Sequence, residues 1–429
     1  MVINVVGAGL AGAEACYQLI KRNYKVRLYE MRPLKLTEAH KSGDFAELVC
    51  SNSFRARFTT NAIGLLKEEM KQLDSLIMKT AYQCEVPAGG ALAVDRDKFS
   101  KLITKELSNH PLVEVVYQEV DTIPLGPTII ASGPLTSIKL SEAILNFCGE
   151  EHLYFFDTVA PIIAADSINT EIVYLKSRYD KGEASYLNCP MSKEQFDLFY
   201  QTLIDAEVVT PKDYEMILFE ACMPIEEMAR RGKKTLLFGP MKPVGLAQNE
   251  RNKPYAVVQL RAENEEKTMY NIVGFQTHLK FFEQKRLLRL IPGLENCEIL
   301  RYGVMHRNTY INSPKVLNRY FQTKKREDLF FAGQLTGVEG YIESAASGLI
   351  ASLNLIRYLE NKTLIDFTKD TALGALQHHI STASSHFVPM NINFGLFNPL
   401  RLHVKRKERN EAYALRSLNI LNKIKGDLQ

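Results

Sequence analysis

The chain contains no tryptophan, and its seven cysteines are scattered with no CxxC pair among them. An odd, dispersed set suits neither a disulfide framework nor a structural zinc site. Reduced thiols, a cytoplasmic setting and no metal are therefore expected. No apolar run reaches the roughly 20 residues that a membrane-crossing helix needs. The first residues lack a basic segment and pass straight into a strand-like run, so neither a signal peptide nor a membrane partner is expected. Internal repeats and low-complexity stretches are missing too. Excess charge is small: 53 Lys and Arg against 49 Asp and Glu leave +4, which allows an anionic partner without demanding one. What remains is ordinary globular composition over 429 residues, long enough for two or three domains.

The clearest positive signal is at the start. Val2 to Val6 reads as a buried strand, Gly7-Ala8-Gly9-Leu10-Ala11-Gly12 follows at once, and Ala13 to Arg22 reads as a helix. A second strand, Lys25 to Tyr29, ends on Glu30. This is a βαβ unit with GxGxxG at its first turn. Gly7 allows the tight turn, Gly9 lets backbone amides approach a pyrophosphate, and Gly12 lets helix pack on strand. Glu30 is placed to accept both ribose hydroxyls of an adenosine. Two later segments favour FAD over NAD as the dinucleotide. Thr128 to Gly133 is a strand running into a small-residue turn. Asp328 to Gln334 is another strand, followed by Gly337, Gly340 and a helix-like run from Tyr341 to Leu359. This last segment resembles the late flavin motif, and the resemblance implies Gly333 and Gln334 at the ribityl chain, with the helix N-terminus facing the flavin.

The expected fold class is therefore α/β: a Rossmann-like, glutathione-reductase-like FAD-binding domain with an inserted α/β domain. The flavin domain is expected over 1–160 and 306–429, and the insertion over 161–305. Strand-like runs at Ile172–Leu175, Tyr255–Leu260 and Tyr270–Phe275, with a helix at Lys193–Ile204, point to an antiparallel sheet in the insertion. The tail from Arg401 to Lys425 reads as a basic helix.

Two cysteine contexts stand apart from the packed thiols expected elsewhere: Phe45 to Ser53 around Cys50, and Phe219 to Glu226 around Cys222. With them, collinear stretches along nearly the whole chain resemble the flavin- and folate-dependent RNA (uracil-5-)-methyltransferases. The stretches include Tyr29 to Pro33, Val86 to Arg96, Leu237 to Leu246, Gly274 to Lys280 and Ala332 to Gly348. The resemblance implies transfer of the methylene of 5,10-methylenetetrahydrofolate to C5 of a uridine in structured RNA. FAD is the implied carrier and reductant, recharged by NADH or NADPH, and no DNA partner is implied. It also implies that Cys222 adds to C6 of the uracil, that Cys50 removes the C5 proton, and that Tyr341 lies near the isoalloxazine. Arg32 is implied as a further cofactor residue.

An RNA substrate calls for a phosphate-binding surface. Lys67, Lys71, Arg230, Arg231, Lys233, Lys234, Lys285, Arg286, Arg289 and the basic tail are candidates. His278 and Lys280 are candidates for the folate's anionic tail, and His306 and Arg307 for the pocket wall. Phe54 to Thr60 departs from the pattern of the tRNA enzymes, and the Lys-, Asn- and Ile-rich composition tilts the expected target slightly to 23S rRNA over the tRNA T-loop. A small-molecule flavin oxidoreductase would explain the nucleotide motifs but not the Cys222 context. A non-enzymatic flavoprotein sensor would need neither cysteine.

Overall fold

A computed structural model describes the chain except residues 38, 150–152, 159, 181–182, 210–222, 249–252, 264–266, 304, 384–386, 388, 401–403, 406 and 427–429; for 153–158 and 305–308 it describes the backbone alone. The alternation of short apolar strands and helices builds a five-stranded parallel sheet. Its order is Leu329–Phe331, Thr128–Ile130, Val2–Val6, Lys25–Glu30 and Val113–Tyr117. The first strand thus sits in the middle, with its successors added outward on either side, which is the doubly wound, Rossmann-like arrangement. Its partners are fixed by apolar side chains on both faces: Ile3, Val5, Leu28, Ile129 and Phe330 on one and Ile130, Leu329 and Phe331 on the other are buried.

The strand nearest the chain's end therefore pairs beside one from its first third, and 195 residues of sequence lie between residues 133 and 329. Within that span runs a second, six-stranded sheet of antiparallel pairs, from Ile162–Ala164 to Ile299–Arg301. Its core is separate, built on Phe196, Phe199, Val258, Ile272 and Phe275. The helix Lys193–Asp205 lies over it and starts on a capping box, Ser192 with Gln195. Between the two sheets, Leu153–Thr158 pairs antiparallel with Met305–Tyr310. A small three-stranded sheet, Ser53–Ala56 with Ala91–Val94 and Glu85–Val86, completes the strands that bear on the site. No described helix is long and apolar enough to cross a membrane.

Two helices meet over the parallel sheet. The first, Leu10–Ile20, crosses the late helix Tyr341–Leu359, and the contact is backbone to backbone at Gly348. A Cβ at Gly348 would lie 2.1 Å from the Ala11 carbonyl oxygen. The tail helix, Arg409–Gly426, is anchored through Ser417, which donates to the buried Glu69 carboxylate. Glu69 also accepts the Ala372 and Leu373 amides at 2.7 and 2.9 Å, capping the helix Ala372–His379.

Gly348→Val should push the two helices apart. The expected result is a loss of at least about 3 kcal/mol, the upper range for core overpacking, read as a lower urea midpoint. An unchanged midpoint would show that the crossing relaxes freely.

Candidate functional site

The strands of the parallel sheet release their chain ends on one side, and the turns there enclose a cleft of about 1020 Å³ counted to its open mouth. Gly7, Gly9, Leu10, Ala11, Glu30, Arg32, Gly333, Gln334 and Tyr341 all line it. Ala8 and Gly12 do not; they shape its floor. Ala8 donates its amide to Glu30 Oε2 at 3.0 Å. A Cβ on Gly12 would lie 1.8 Å from the Gly7 carbonyl oxygen, so this glycine closes the helix onto its own loop. Gly7 has φ +97°, and a Cβ there would meet the Ala131 carbonyl at 2.6 Å. Gly9 is the opposite case: a Cβ built on it meets nothing within 4 Å.

That open space lies at the start of the first helix. Gly9 is its N-cap, no side chain caps it, and its first turn holds no acidic residue. Unsatisfied amides and the positive helix end thus face the cleft, which suits a pyrophosphate. The late helix starts at the cleft in the same way, from Gly340 without a side-chain cap. The residues present fit a dinucleotide of the FAD kind.

Glu30 is more occupied than its place in the sequence suggests. Oε2 accepts Ala8 N and Arg32 Nη2, each at 3.0 Å, and Oε1 accepts Arg32 N and Nε, each at 3.0 Å. These four donors use the carboxylate's acceptor capacity. A ribose hydroxyl would have to displace one of them, and the Arg32 fork is the movable group. Burial pushes the Glu30 carboxyl up, but the Arg32 guanidinium outweighs it and holds the group below its ordinary value. Arg32 is itself buried and reaches Glu47 at 3.3 Å. Gln334 donates to Glu339 Oε2 at 2.6 Å, which fixes its side chain at the cleft wall.

Cys50 adjoins this cleft beside Val49, a lining residue. Its amide donates to the Tyr341 hydroxyl at 2.6 Å, as Ser51 N does at 3.2 Å. Tyr341 is thus tied to the cysteine loop at its hydroxyl, with its ring edge-on to Phe54 at 6.1 Å. The Cys50 carbonyl accepts from Arg301 at 2.7 Å and Arg96 at 3.4 Å. These arginines come from distant segments, and sequence reasoning gave them no role of their own, as it gave none to Thr37 and His40 in the cleft wall. Cys16, Cys84, Cys148, Cys189 and Cys297 are buried, and burial pushes the Cys16 and Cys189 thiols up. Cys222 lies outside the described residues, as do the side chains of His306 and Arg307.

Several phosphate or folate candidates are corrected. Lys67 is buried and donates to the Phe54 and Arg55 carbonyls at 2.7 and 3.2 Å; burial lowers it to about 7. His278 is buried beside Glu226, with Nδ1 3.1 Å from the carboxylate, and burial lowers it to about 4, so it offers folate no cation. Lys280 pairs with Glu207, Arg230 with Glu227, Lys233 with Asp197 and Arg286 with Glu283. Of the tail cluster, Arg401 and Arg406 lie outside the described residues.

With this geometry the chain matches known proteins over its whole length. The family model for glucose inhibited division protein A matches residues 2–363. A methylenetetrahydrofolate–tRNA-(uracil-5-)-methyltransferase of Anoxybacillus flavithermus is 61% identical over 425 residues, 98% of each chain. The chain belongs to this methyltransferase family. The Listeria monocytogenes enzyme of the same name is 59% identical over 430 residues, 99% of each chain. Among solved structures, GidA of Aquifex aeolicus superposes with a TM-score of 0.70 at 15% identity, over 98% of this chain and 75% of that one. That likeness shows a shared fold. Both methyltransferase relatives carry tRNA in their names, so the tilt toward 23S rRNA finds no support in them.

Gly9→Val places a side chain in the open space above the first helix without a backbone clash. The purified protein should fold with the melting temperature of flavin-stripped parent protein yet be colourless. Normal flavin content would show that the pyrophosphate lies elsewhere.

Proposed function

We propose that the chain methylates C5 of a uridine in tRNA, taking the carbon from 5,10-methylenetetrahydrofolate, with FAD and NADH or NADPH as reductants. The observation that carries this reading is a dinucleotide cleft with Cys50 pinned at its edge by Tyr341, in a chain about 60% identical end to end to relatives named for that reaction. When bound, FAD supplies the electrons that bring the methylene to the methyl level. The protein's own residues do the rest. The Gly7 to Gly12 turn and the first helix N-terminus hold the pyrophosphate, while Arg32 and Glu30 organise the adjoining wall. C5 of uracil is a weak nucleophile until a thiolate adds to C6, and that thiolate is assigned to Cys222 on its sequence context. After methylation C5 still carries its proton. Cys50 is assigned to take it, which lets the C6–sulfur bond break and restores the ring.

The test uses tRNA transcripts containing uridine or 5-fluorouridine. With uridine, parent protein should form 5-methyluridine in tRNA in preference to a 23S rRNA transcript. Cys222→Ala should lose activity, and Cys50→Ala should slow by roughly 10²- to 10⁴-fold. With 5-fluorouridine there is no C5 proton to remove, so parent and Cys50→Ala should trap a covalent RNA adduct and Cys222→Ala should not. Adducts with Cys222→Ala but not Cys50→Ala would reverse the two roles. Methylation confined to the rRNA transcript would overturn the target and leave the reaction standing.

A further inference from the structure

The loop from Leu48 to Asn52 has no regular secondary structure of its own to hold it, yet the carbonyls of Leu48, Val49, Cys50 and Asn52, the amides of Cys50 and Ser51, and the Ser51 and Asn52 side chains are all engaged. Arg96, the first residue of the helix Arg96–Ser108, donates to Leu48 O at 2.5 Å and to Cys50 O at 3.4 Å. Arg301, at the end of the strand Ile299–Arg301, donates to Val49 O at 3.0 Å and Cys50 O at 2.7 Å. Arg261 donates to Asn52 Oδ1 at 3.0 Å and Ser51 Oγ at 2.7 Å. Two guanidiniums thus converge on one carbonyl, that of the cysteine, while its amide is held by Tyr341.

Charge in this cluster is out of balance. Among the described residues, Arg96, Arg261 and Arg301 face a single carboxylate, Glu263, which lies 2.6 Å from Arg96 and 3.9 Å from Arg261. Glu263 is 1% exposed, and among the described residues its Oε1 has no hydrogen-bond donor. Nε of Arg96 and Nε of Arg301 are buried and likewise have no acceptor among the described residues. The other charged groups that face the loop are Lys41, of the same sign as the arginines, and Glu47, which is already bound by Arg32 and the Lys41 and Ser42 amides. Tyr341 is half-buried, and burial of its hydroxyl pushes the group up, so it stays neutral. An uncompensated buried cation cluster is costly unless an anion is supplied. The Cys50 thiol, within electrostatic reach of Arg96, Arg301 and Tyr341, is a group able to supply one.

We propose that Arg96 and Arg301 are positioning residues for Cys50: they pin its backbone carbonyl and surround its side chain with positive charge that favours the thiolate. The inference rests on the reading of Cys50 as the C5 base. A base must carry no proton when the methylated uracil presents its own, and a thiolate held ready by two guanidiniums meets that need. Glu263 sets the balance by cancelling part of the field.

The test is the pH dependence of Cys50 alkylation by iodoacetamide, followed on the Cys50 peptide by mass spectrometry in the full-length, flavin-containing protein. Arg301→Gln removes positive charge and should move the midpoint to higher pH. The rate at pH 7 should then fall roughly tenfold for every whole pH step the midpoint climbs, with the high-pH plateau unchanged. Glu263→Gln removes the opposing carboxylate and should move the midpoint to lower pH. Each variant decides the question if the other fails to fold. Superimposed profiles would overturn the proposal. So would midpoints that move in the same direction in both variants, which is what simple loosening of the loop produces. If the midpoints move as expected but Cys50→Ala methylates normally, the arginine clamp stands and the reading of Cys50 as base falls. If Cys50→Ala is inactive and the profiles do not move, the clamp alone falls.

Discussion

The site depends on one close contact: the backbone of the first helix at Ala11 against Gly348 on the late helix. Segments more than 300 residues apart in sequence can share a cleft wall only if these helices touch without side chains between them. The contact sets Gly333, Gln334 and Tyr341 opposite the Gly7 to Gly12 turn. It also fixes Tyr341 where its hydroxyl can receive the Cys50 amide. Dinucleotide site and cysteine loop are therefore one construction: the helix that closes the cleft is the helix that holds the loop.

Much of this was legible because it is local. Strand, glycine turn, helix and acidic strand end are written in thirty consecutive residues, and backbone geometry leaves that order few other outcomes. The late strand and helix carry the same kind of local signature. The runs around Lys193, Tyr255 and Tyr270 likewise became a helix and two strands of an antiparallel sheet, with no end shifted by more than three residues.

What was not legible is non-local. Arg96, Arg261, Glu263 and Arg301 meet at Cys50 from three stretches of chain that only tertiary packing brings together. Lys67 looked like a surface cation because charge is usually solvated. Its amphipathic helix turns it inward, where two carbonyls of the neighbouring strand take its protons' hydrogen bonds. Glu30 was read as an open acceptor because a strand-end carboxylate meets the ribose in many nucleotide folds. Here Arg32, two residues on, already fills it. The preference for ribosomal RNA rested on composition and one variable stretch, neither of which contains information about how a base is recognised.

The proposed chemistry stands or falls on the methyl carbon coming from folate and being reduced on this protein. The most direct measurement is the mass of the methyl group in 5-methyluridine made on a tRNA transcript from methylenetetrahydrofolate dideuterated at its methylene, with unlabelled S-adenosylmethionine present. The predicted product is a nucleoside carrying both deuterons, its third methyl hydrogen coming from the reductant. A methyl group without deuterium would contradict the folate route.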